Sequence, residues 1–368
     1  MKSQPRFVIS GGGTGGHIFP AIAIANALKS KYPEAEFLFI GAKGRMEMDR
    51  VPKAGYKIEG LWISGLTKDL RALTLPLKLV SSFWKARRIL KQFQPNVVIG
   101  VGGYASAPTL KMANWLGIPT VLQEQNSIPG KTNRNLGKNA KAICVAYPDM
   151  ERWFPADRIH FTGNPLRSNA VADAPREVAA QYFQLDPNKP VALLIGGSQG
   201  SRDMNYGIMA KLELFKGQDL QFIWQTGRPY VDMAQEKVKA LGLEDQVKPV
   251  AFIEKMGLAY SLADVVVSRA GAISISELAL VQKPVIFVPL PSAAEDHQTK
   301  NAKQLEKAGA AVIVKNENVE EELVPALFEL CADHEKQASM KANIAQFARP
   351  NAAADIVDVV TGIVGENQ

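Results

Sequence analysis

Short runs of apolar and β-branched residues, continuous rather than alternating, recur along most of this 368-residue chain. In the first half they are RFVIS (6–10), EFLFIG (36–41), NVVIGVG (96–102), PTVLQE (119–124) and AICVAY (142–147). After Pro165 the pattern restarts with VALLIGG (191–197), QFIWQTG (221–227), VKPVAFI (247–253), DVVVSRAG (264–271), PVIFVPL (284–290) and AAVIV (310–314). A strand wet on one face alternates apolar with polar residues, whereas a run apolar throughout marks a parallel strand buried on both faces. Helix-length segments separate the runs, so the expected fold is α/β, built from βαβ units around parallel sheets.

At roughly 150 residues per domain the length implies two domains. The turn-rich stretch FTGNPLRSN (161–169), with Asn164-Pro165 biased against helix, is the expected boundary. The tail RPNAAADIVDVVTGIVGENQ reads as a last helix whose attachment the pattern leaves open. With 46% hydrophobic and 21% charged residues the composition is that of an ordinary globular enzyme. Cys144 and Cys331 lie far apart, so neither a disulfide scaffold nor a zinc site is expected, and a reducing compartment fits best. The opening residues pass straight into a strand, so no secretory segment is expected. No apolar run approaches the roughly 20 residues that span a bilayer.

The net charge of +7 is unevenly placed. Between residues 61 and 95 Lys68, Arg71, Lys78, Lys85, Arg87, Arg88 and Lys91 face Asp69 alone, and KTNRNLGKNAK (131–141) carries no acid. Solvated basic faces would explain this, as would attraction to nucleic acid or to the acidic face of a membrane. No recognition module accompanies the charge, so nucleic acid is not the expected partner. Segment 77–93 has the spacing of an amphipathic helix, with Leu79, Phe83, Ala86, Leu90 and Phe93 on one stripe and Lys78, Lys85 and Arg88 opposite. Just before it, Leu73, Leu75 and Leu77 around Pro76 give an apolar edge suited to a membrane surface.

Four glycine-rich turns follow buried runs: SGGGTGGH (10–17), GVGGYASAP (100–108), GGSQGS (196–201) and SRAGAISISE (268–277). A turn without side chains lets the backbone approach an anion, and the N–H groups of the next helix then face it with partial positive charge. Gly11 to Gly16 satisfies GxGxxG, but His17-Ile18 replaces the Lys-Ser/Thr pair of a P-loop. A nicotinamide cofactor needs an acid at the end of the second strand, where this chain has Ala42-Lys43-Gly44-Arg45. A variant using Lys43 or Arg45 on a 2′-phosphate stays open. A single such turn is usually just a tight connection. Four of them across two domains point to a cleft between facing sheets and to substrates with more than one phosphate. Glu277, about one turn into a helix opened at Gly271, can accept both hydroxyls of a ribose, or can simply favour the helix start. AEDHQTKNA (294–302) gathers polar residues ahead of another helix, as an ordinary capping loop also would. There is no HExxH, CxxC or isolated DxD, so no metal is expected, and the charge of a departing diphosphate would fall to N–H groups, helix dipoles and a basic residue such as Arg167.

Together GGGTGGHIFPAIAIANAL, GVGGYASAP, QEQNSIPGKTN, GNPLR, GGSQGSRDMN, SRAGAISISE and DHQTKNA closely resemble, in order from residue 7 to the mid-300s, the bacterial peptidoglycan N-acetylglucosaminyltransferases of the MurG family. The resemblance implies a GT-B fold, two Rossmann-like parallel-sheet domains facing a central cleft. It places 1–164 with the returning tail 350–368 in an acceptor- and membrane-side domain, and 165–349 in a UDP-sugar domain. It implies inverting transfer of N-acetylglucosamine from its UDP donor to the 4-hydroxyl of undecaprenyl-diphospho-N-acetylmuramoyl-pentapeptide (lipid I), giving lipid II, by an enzyme peripheral to the cytoplasmic face of the membrane. No cofactor is implied.

By the same resemblance Thr14, Gly15, Gly16, Asn126, Arg167 and Ser198 contact the donor. Ile253 meets the uracil through its backbone. Ala272, Ile273, Ser274, Ile275 and Ser276 lie along the nucleotide and diphosphate, Glu277 takes the ribose, and Gln298 faces the sugar hydroxyls. Gly13, Gly102, Gly103 and Tyr104 serve the acceptor's diphosphate. The acceptor hydroxyl is too weak an acid to ionise alone, so a positioned base is expected. His17, kept neutral by the helix dipole at its turn, is the candidate, and a histidine that only binds substrate or closes the loop is the alternative. Glu124 is the rival carboxylate. The basic first half then has partners in lipid I and in anionic phospholipid. A UDP-N-acetylglucosamine epimerase and a non-catalytic UDP-sugar sensor are the competing readings.

Overall fold

In the computed structural model, residues 4–64, 75–166, 174–197 and 199–366 are described. Lys68, Asp69, Arg71 and Leu73 of the basic and apolar stretch, and Arg167 and Ser198 of the expected donor site, lie outside the described residues. The chain divides into two compact units, one holding residues 1–167 and 349–368, the other 168–348.

The first unit is a parallel sheet of β1 (Arg6–Ser10), β2 (Glu36–Ala42), β3 (Lys57–Leu61), β4 (Val97–Gly100), β5 (Thr120–Glu124), β6 (Ala142–Val145) and β7 (Ile159–Phe161). Their order is β3-β2-β1-β4-β5-β6-β7. Between them run α1 (Gly15–Lys31), α2 (Glu47–Lys53), α3 (Leu75–Phe93), α4 (Ser106–Trp115) and α5 (Lys131–Gly137). Alternate residues of one strand feed different cores. Phe7 and Ile9 of β1 pack with Ile18, Ile24 and Leu28 of α1, while Val8 packs with Leu90 of α3 and Leu110 of α4. Both faces of the central strands are therefore dry, as their uninterrupted apolar runs require.

The second unit repeats the plan with β8 (Val191–Ile195), β9 (Gln221–Gln225), β10 (Val247–Val250), β11 (Val265–Ser268), β12 (Val285–Phe287) and β13 (Val312–Ile313), in the order β10-β9-β8-β11-β12-β13. Its helices are α6 (Arg176–Phe183), α7 (Arg202–Lys211), α8 (Val231–Leu241), α9 (Met256–Leu262), α10 (Ala272–Val281), α11 (His297–Lys307), α12 (Val319–Ala332) and α13 (His334–Ala345). One core joins Leu193, Val266 and Phe287 to Leu278 and Leu305, and the other joins Leu194, Trp224 and Val267 to Ile208 and Leu327.

The tail forms α14 (Ala352–Glu366) and belongs to the first unit. Its Ile356 and Val360 are fully buried in the core shared with α1, and Lys31 of α1 donates to Asp358 at 2.7 Å. Burying each such side chain contributes about 1.5–3 kcal/mol, far more than the exposed ion pair.

Two strands departed from expectation. β3 and β7 lacked a continuous apolar signature because they are the two edges of the first sheet. KIEGL is exposed or half-buried for three of its five residues, and IHF throughout.

Candidate active site

In each unit the winding direction reverses between two neighbouring central strands, β1 and β4 in the first and β8 and β11 in the second. At such a reversal the loops leaving the two strands diverge to opposite faces and open a crevice at the strands' carboxyl ends. All four glycine turns are those loops: β1–α1 and β4–α4, then β8–α7 and β11–α10.

In the first unit the two turns meet backbone to backbone. A Cβ on Gly103 would lie 2.9 Å from Gly12 N and would overlap its carbonyl, and one on Gly11 would overlap Val101. Gly102, at φ +92°, stands against His17, with the position of an added Cβ 2.8 Å from Cδ2 and 2.9 Å from Nε2 of the ring. The imidazole is half-buried, and its Nδ1 lies 3.2 Å from Thr14 Oγ1. Thr14 is the extended N-cap of α1, its carbonyl accepting from the amides of His17 and Ile18 at 3.2 Å each. The first turn of α1 carries no acid, so nothing within the helix offsets its positive end. Around Gly16 only Thr14 Oγ1, at 3.7 Å, approaches the position of an added Cβ, and Gly13 has nothing within 4 Å. The Gly13 amide is nevertheless engaged: it donates to Glu47 Oε2 at 2.9 Å. Tyr104 is exposed.

Glu124 ends β5 and is only 2% exposed. Its Oε1 accepts from Asn126 N at 2.9 Å and Asn126 Nδ2 at 3.1 Å, and its Oε2 accepts from Asn133 Nδ2 at 2.9 Å. Burial pushes the carboxyl above the usual carboxylate range, while these donors and the Gly130 amide act in the opposite sense. Such a group anchors its loop; its lone pairs are committed before any substrate arrives. Asn133, beneath Gly102, keeps a buried Oδ1 with no hydrogen-bond partner among the described residues.

In the second unit Gly271 caps α10 in an extended conformation, and the helix again opens without an acid. Ala272, Ile273, Ser274 and Ser276 are half-buried along it, Ile275 is core, and Ser276 Oγ donates back to the Ala272 carbonyl at 3.0 Å. Glu277 Oε2 accepts from the buried Tyr260 hydroxyl at 3.2 Å. Burial and the Glu277 carboxylate hold that phenol well above its ordinary range, so the hydroxyl stays a donor. Arg269 joins three loops. Its Nη2 donates to Ser201 Oγ at 2.6 Å, and its Nη1 donates to the Val288 carbonyl at 3.0 Å and to Asn316 Oδ1 at 2.7 Å. Gln298 Oε1 accepts from Leu290 N at 3.0 Å, which turns its NH2 group outward from that bond. Ile253 is buried core at the end of a cavity of about 520 Å3 along the edge strand β10. That cavity touches no other expected site residue.

The sequence reading did not single out Glu47, Asn133, Tyr260 or Arg269. Arg269 alone had a visible signal, a cation set inside a turn of small residues. Among the described residues no group of acids, histidines and cysteines is arranged to hold a metal.

Paired parallel-sheet units with glycine turns at both reversals are a scaffold suited to nucleotide sugars, and comparison with known proteins gives the class as a glycosyltransferase. Residues 7–145 match the glycosyltransferase family 28 N-terminal domain and residues 191–356 its C-terminal domain. The UDP-N-acetylglucosamine–N-acetylmuramyl-(pentapeptide) pyrophosphoryl-undecaprenol N-acetylglucosamine transferase of Bacteroides fragilis is 51% identical over 96% of this chain and 94% of its own length. The transferase of the same name from Cytophaga hutchinsonii is 50% identical over 99% and 98%. The crystal structure of Acinetobacter baumannii MurG superposes with a TM-score of 0.79 at 29% identity, covering 97% of this chain and 99% of that one. The chain belongs to this family of glycosyltransferases.

Proposed function

We propose that the protein transfers N-acetylglucosamine from UDP-N-acetylglucosamine to the 4-hydroxyl of the N-acetylmuramoyl residue of lipid I, forming lipid II with inversion at the anomeric carbon. The observation that carries this reading is the placement of all four glycine turns at the two strand reversals, one with His17 and the other with Glu277.

The second unit binds the donor. Main-chain amides at the start of α10 face the diphosphate, Glu277 takes the ribose, the Ile253 backbone meets the uracil, and Gln298 offers its NH2 to the sugar. The first unit holds the acceptor. Its lone pair attacks the anomeric carbon as the bond to the diphosphate oxygen breaks, and its hydroxyl proton passes to His17 while UDP departs with both bonding electrons. An Nδ1 proton donated to Thr14 Oγ1 leaves Nε2 as the accepting nitrogen. Glu124, saturated with donors, positions Asn126 and is not the base.

A membrane-facing surface suits a lipid-linked acceptor. Leu77, Val80 and Trp84 of α3 and Trp115 at the end of its neighbour α4 are strongly exposed, as is Trp62. Lys78 lies 5.8 Å from the Trp62 ring and Arg87 lies 5.4 Å from that of Trp115, so cations and aromatic rings alternate across it. No helix among the described residues is long and apolar enough to cross a membrane. The protein works from the cytoplasmic face as a peripheral enzyme, with anionic phospholipid as a partner.

Incubation with labelled UDP-N-acetylglucosamine and a soluble lipid I analogue tests the reading. Formation of the disaccharide supports it. A UDP-sugar isomer would make the protein an epimerase, and an unchanged donor a sensor; either result refutes transfer.

A further inference from the structure

One buried acid lies outside every role above. Glu47 opens α2, is 1% exposed, and spans two turns. Its Oε1 accepts from the Ala42 amide at the end of β2, and its Oε2 accepts from the Gly13 amide in the β1–α1 turn, each at 2.9 Å. The carboxylate fills the space that a Cβ on Gly12 would need, and its Cγ does the same at Gly41. These two glycines therefore answer to an internal anion and not to a ligand. On its other side the turn is closed by Gly103 against the Gly12 backbone. Beyond it the chain runs directly into Thr14, whose hydroxyl meets His17 Nδ1 at 3.2 Å.

We propose that Glu47 is a positioning residue for His17. By accepting from two amides at once it fixes the Gly11–Thr14 turn, and the turn in turn holds the imidazole between Thr14 and Gly102. The two donors demand two acceptor oxygens at glutamate length. Glutamine keeps the length but sets an NH2 group against one of the amides, and aspartate keeps the charge but falls one methylene short. The inference rests on His17 being the base, and it deepens that reading by naming what holds the ring in place.

Proton NMR of the imidazole rings tests it without substrate, because the chain has only four histidines. His17 and His160 are assigned from their absence in His17→Asn and His160→Asn, and His160, on β7, reports on folding of the first unit, to which Glu47 belongs. In Glu47→Gln and Glu47→Asp the His17 resonance and its titration midpoint are expected to move while those of His160 stay. The kcat is expected to fall at least tenfold, with UDP affinity within twofold of the parent. A His17 resonance, titration and kcat all like the parent's in either folded variant overturns the proposal. So does a shift of the His160 resonance to its unfolded position in both variants, which would make Glu47 a support of the first unit's fold only. Disaccharide formation by the parent protein tests the transferase reading separately; if it is absent while His17 still responds to Glu47, only that reading fails.

Discussion

At His17 the chemistry turns on which ring nitrogen carries the proton. Thr14 Oγ1 lies 3.2 Å from Nδ1, and the α-carbon of Gly102 stands beside Nε2. Replacing the ring in His17→Ala is expected to lower kcat by about 10²-fold or more, with UDP affinity intact, as removal of a general base does; a near-normal kcat removes the assignment. Two nearby glycines should behave oppositely. Gly102→Ala places a Cβ against the ring at a positive φ, so it should cost both stability, by about 1–2 kcal/mol, and kcat. Outside its chain neighbours and its own helix backbone, the nearest atom to a Cβ in Gly16→Ala is Thr14 Oγ1 at 3.7 Å, and alanine favours a helix over glycine by about 0.5–1 kcal/mol. Thermal melting should therefore hold or rise while kcat/KM falls; an unchanged kcat/KM would show that no substrate atom approaches Gly16. In Tyr260→Phe a single hydrogen bond to Glu277 is lost, about 1 kcal/mol, so the donor KM should rise roughly fivefold at constant kcat. Equal loss in kcat would instead place Glu277 in the chemistry itself. The glycines, His17 and Glu277 were legible because small residues after an apolar run are unusual enough to notice. Glu47 was not, since RMEMDRVPK reads as a solvated surface turn and nothing adjacent announces that its carboxylate points inward. Glu124 was legible as an acid, but its burial and four donors were not, which is why it stood as a rival base.

Among the elements, α3 carries the clearest consequence. Of its expected inward stripe Ala86 and Leu90 are buried and Leu79, Phe83 and Phe93 half-buried, with Ile89 buried beside them, so the opposite face is left to other uses. Trp84 is 72% exposed and Leu77 66%, and neither can be needed for the core. Trp84→Ser should leave melting and turnover of a soluble acceptor unchanged while binding to anionic vesicles weakens by about tenfold, the worth of one aromatic side chain withdrawn from lipid. Raised salt should weaken the parent's binding as well. Equal binding to neutral vesicles, or no change on substitution, would count against the surface. The central strands were readable because burial on both faces forces an apolar residue at every position. The edge strands β3 and β7 are buried less completely, tolerate Lys57, Glu59 and His160, and so left no run to find.

For the whole molecule, the sequence pattern located two α/β units but not the attachment of the tail. Periodicity shows that α14 has an apolar side, and only the resemblance implied which unit receives it; the packing of Ile356 and Val360 beside α1 supplies the physical reason. In the proposed function, glycine turns at both strand reversals divide the labour between an acceptor unit and a donor unit. A crystal structure of the protein with UDP bound tests that division most directly. The account predicts the ribose hydroxyls on Glu277 and the diphosphate against the amides at the start of α10. Density at the Gly11–Gly16 turn alone, with the second unit empty, would contradict it.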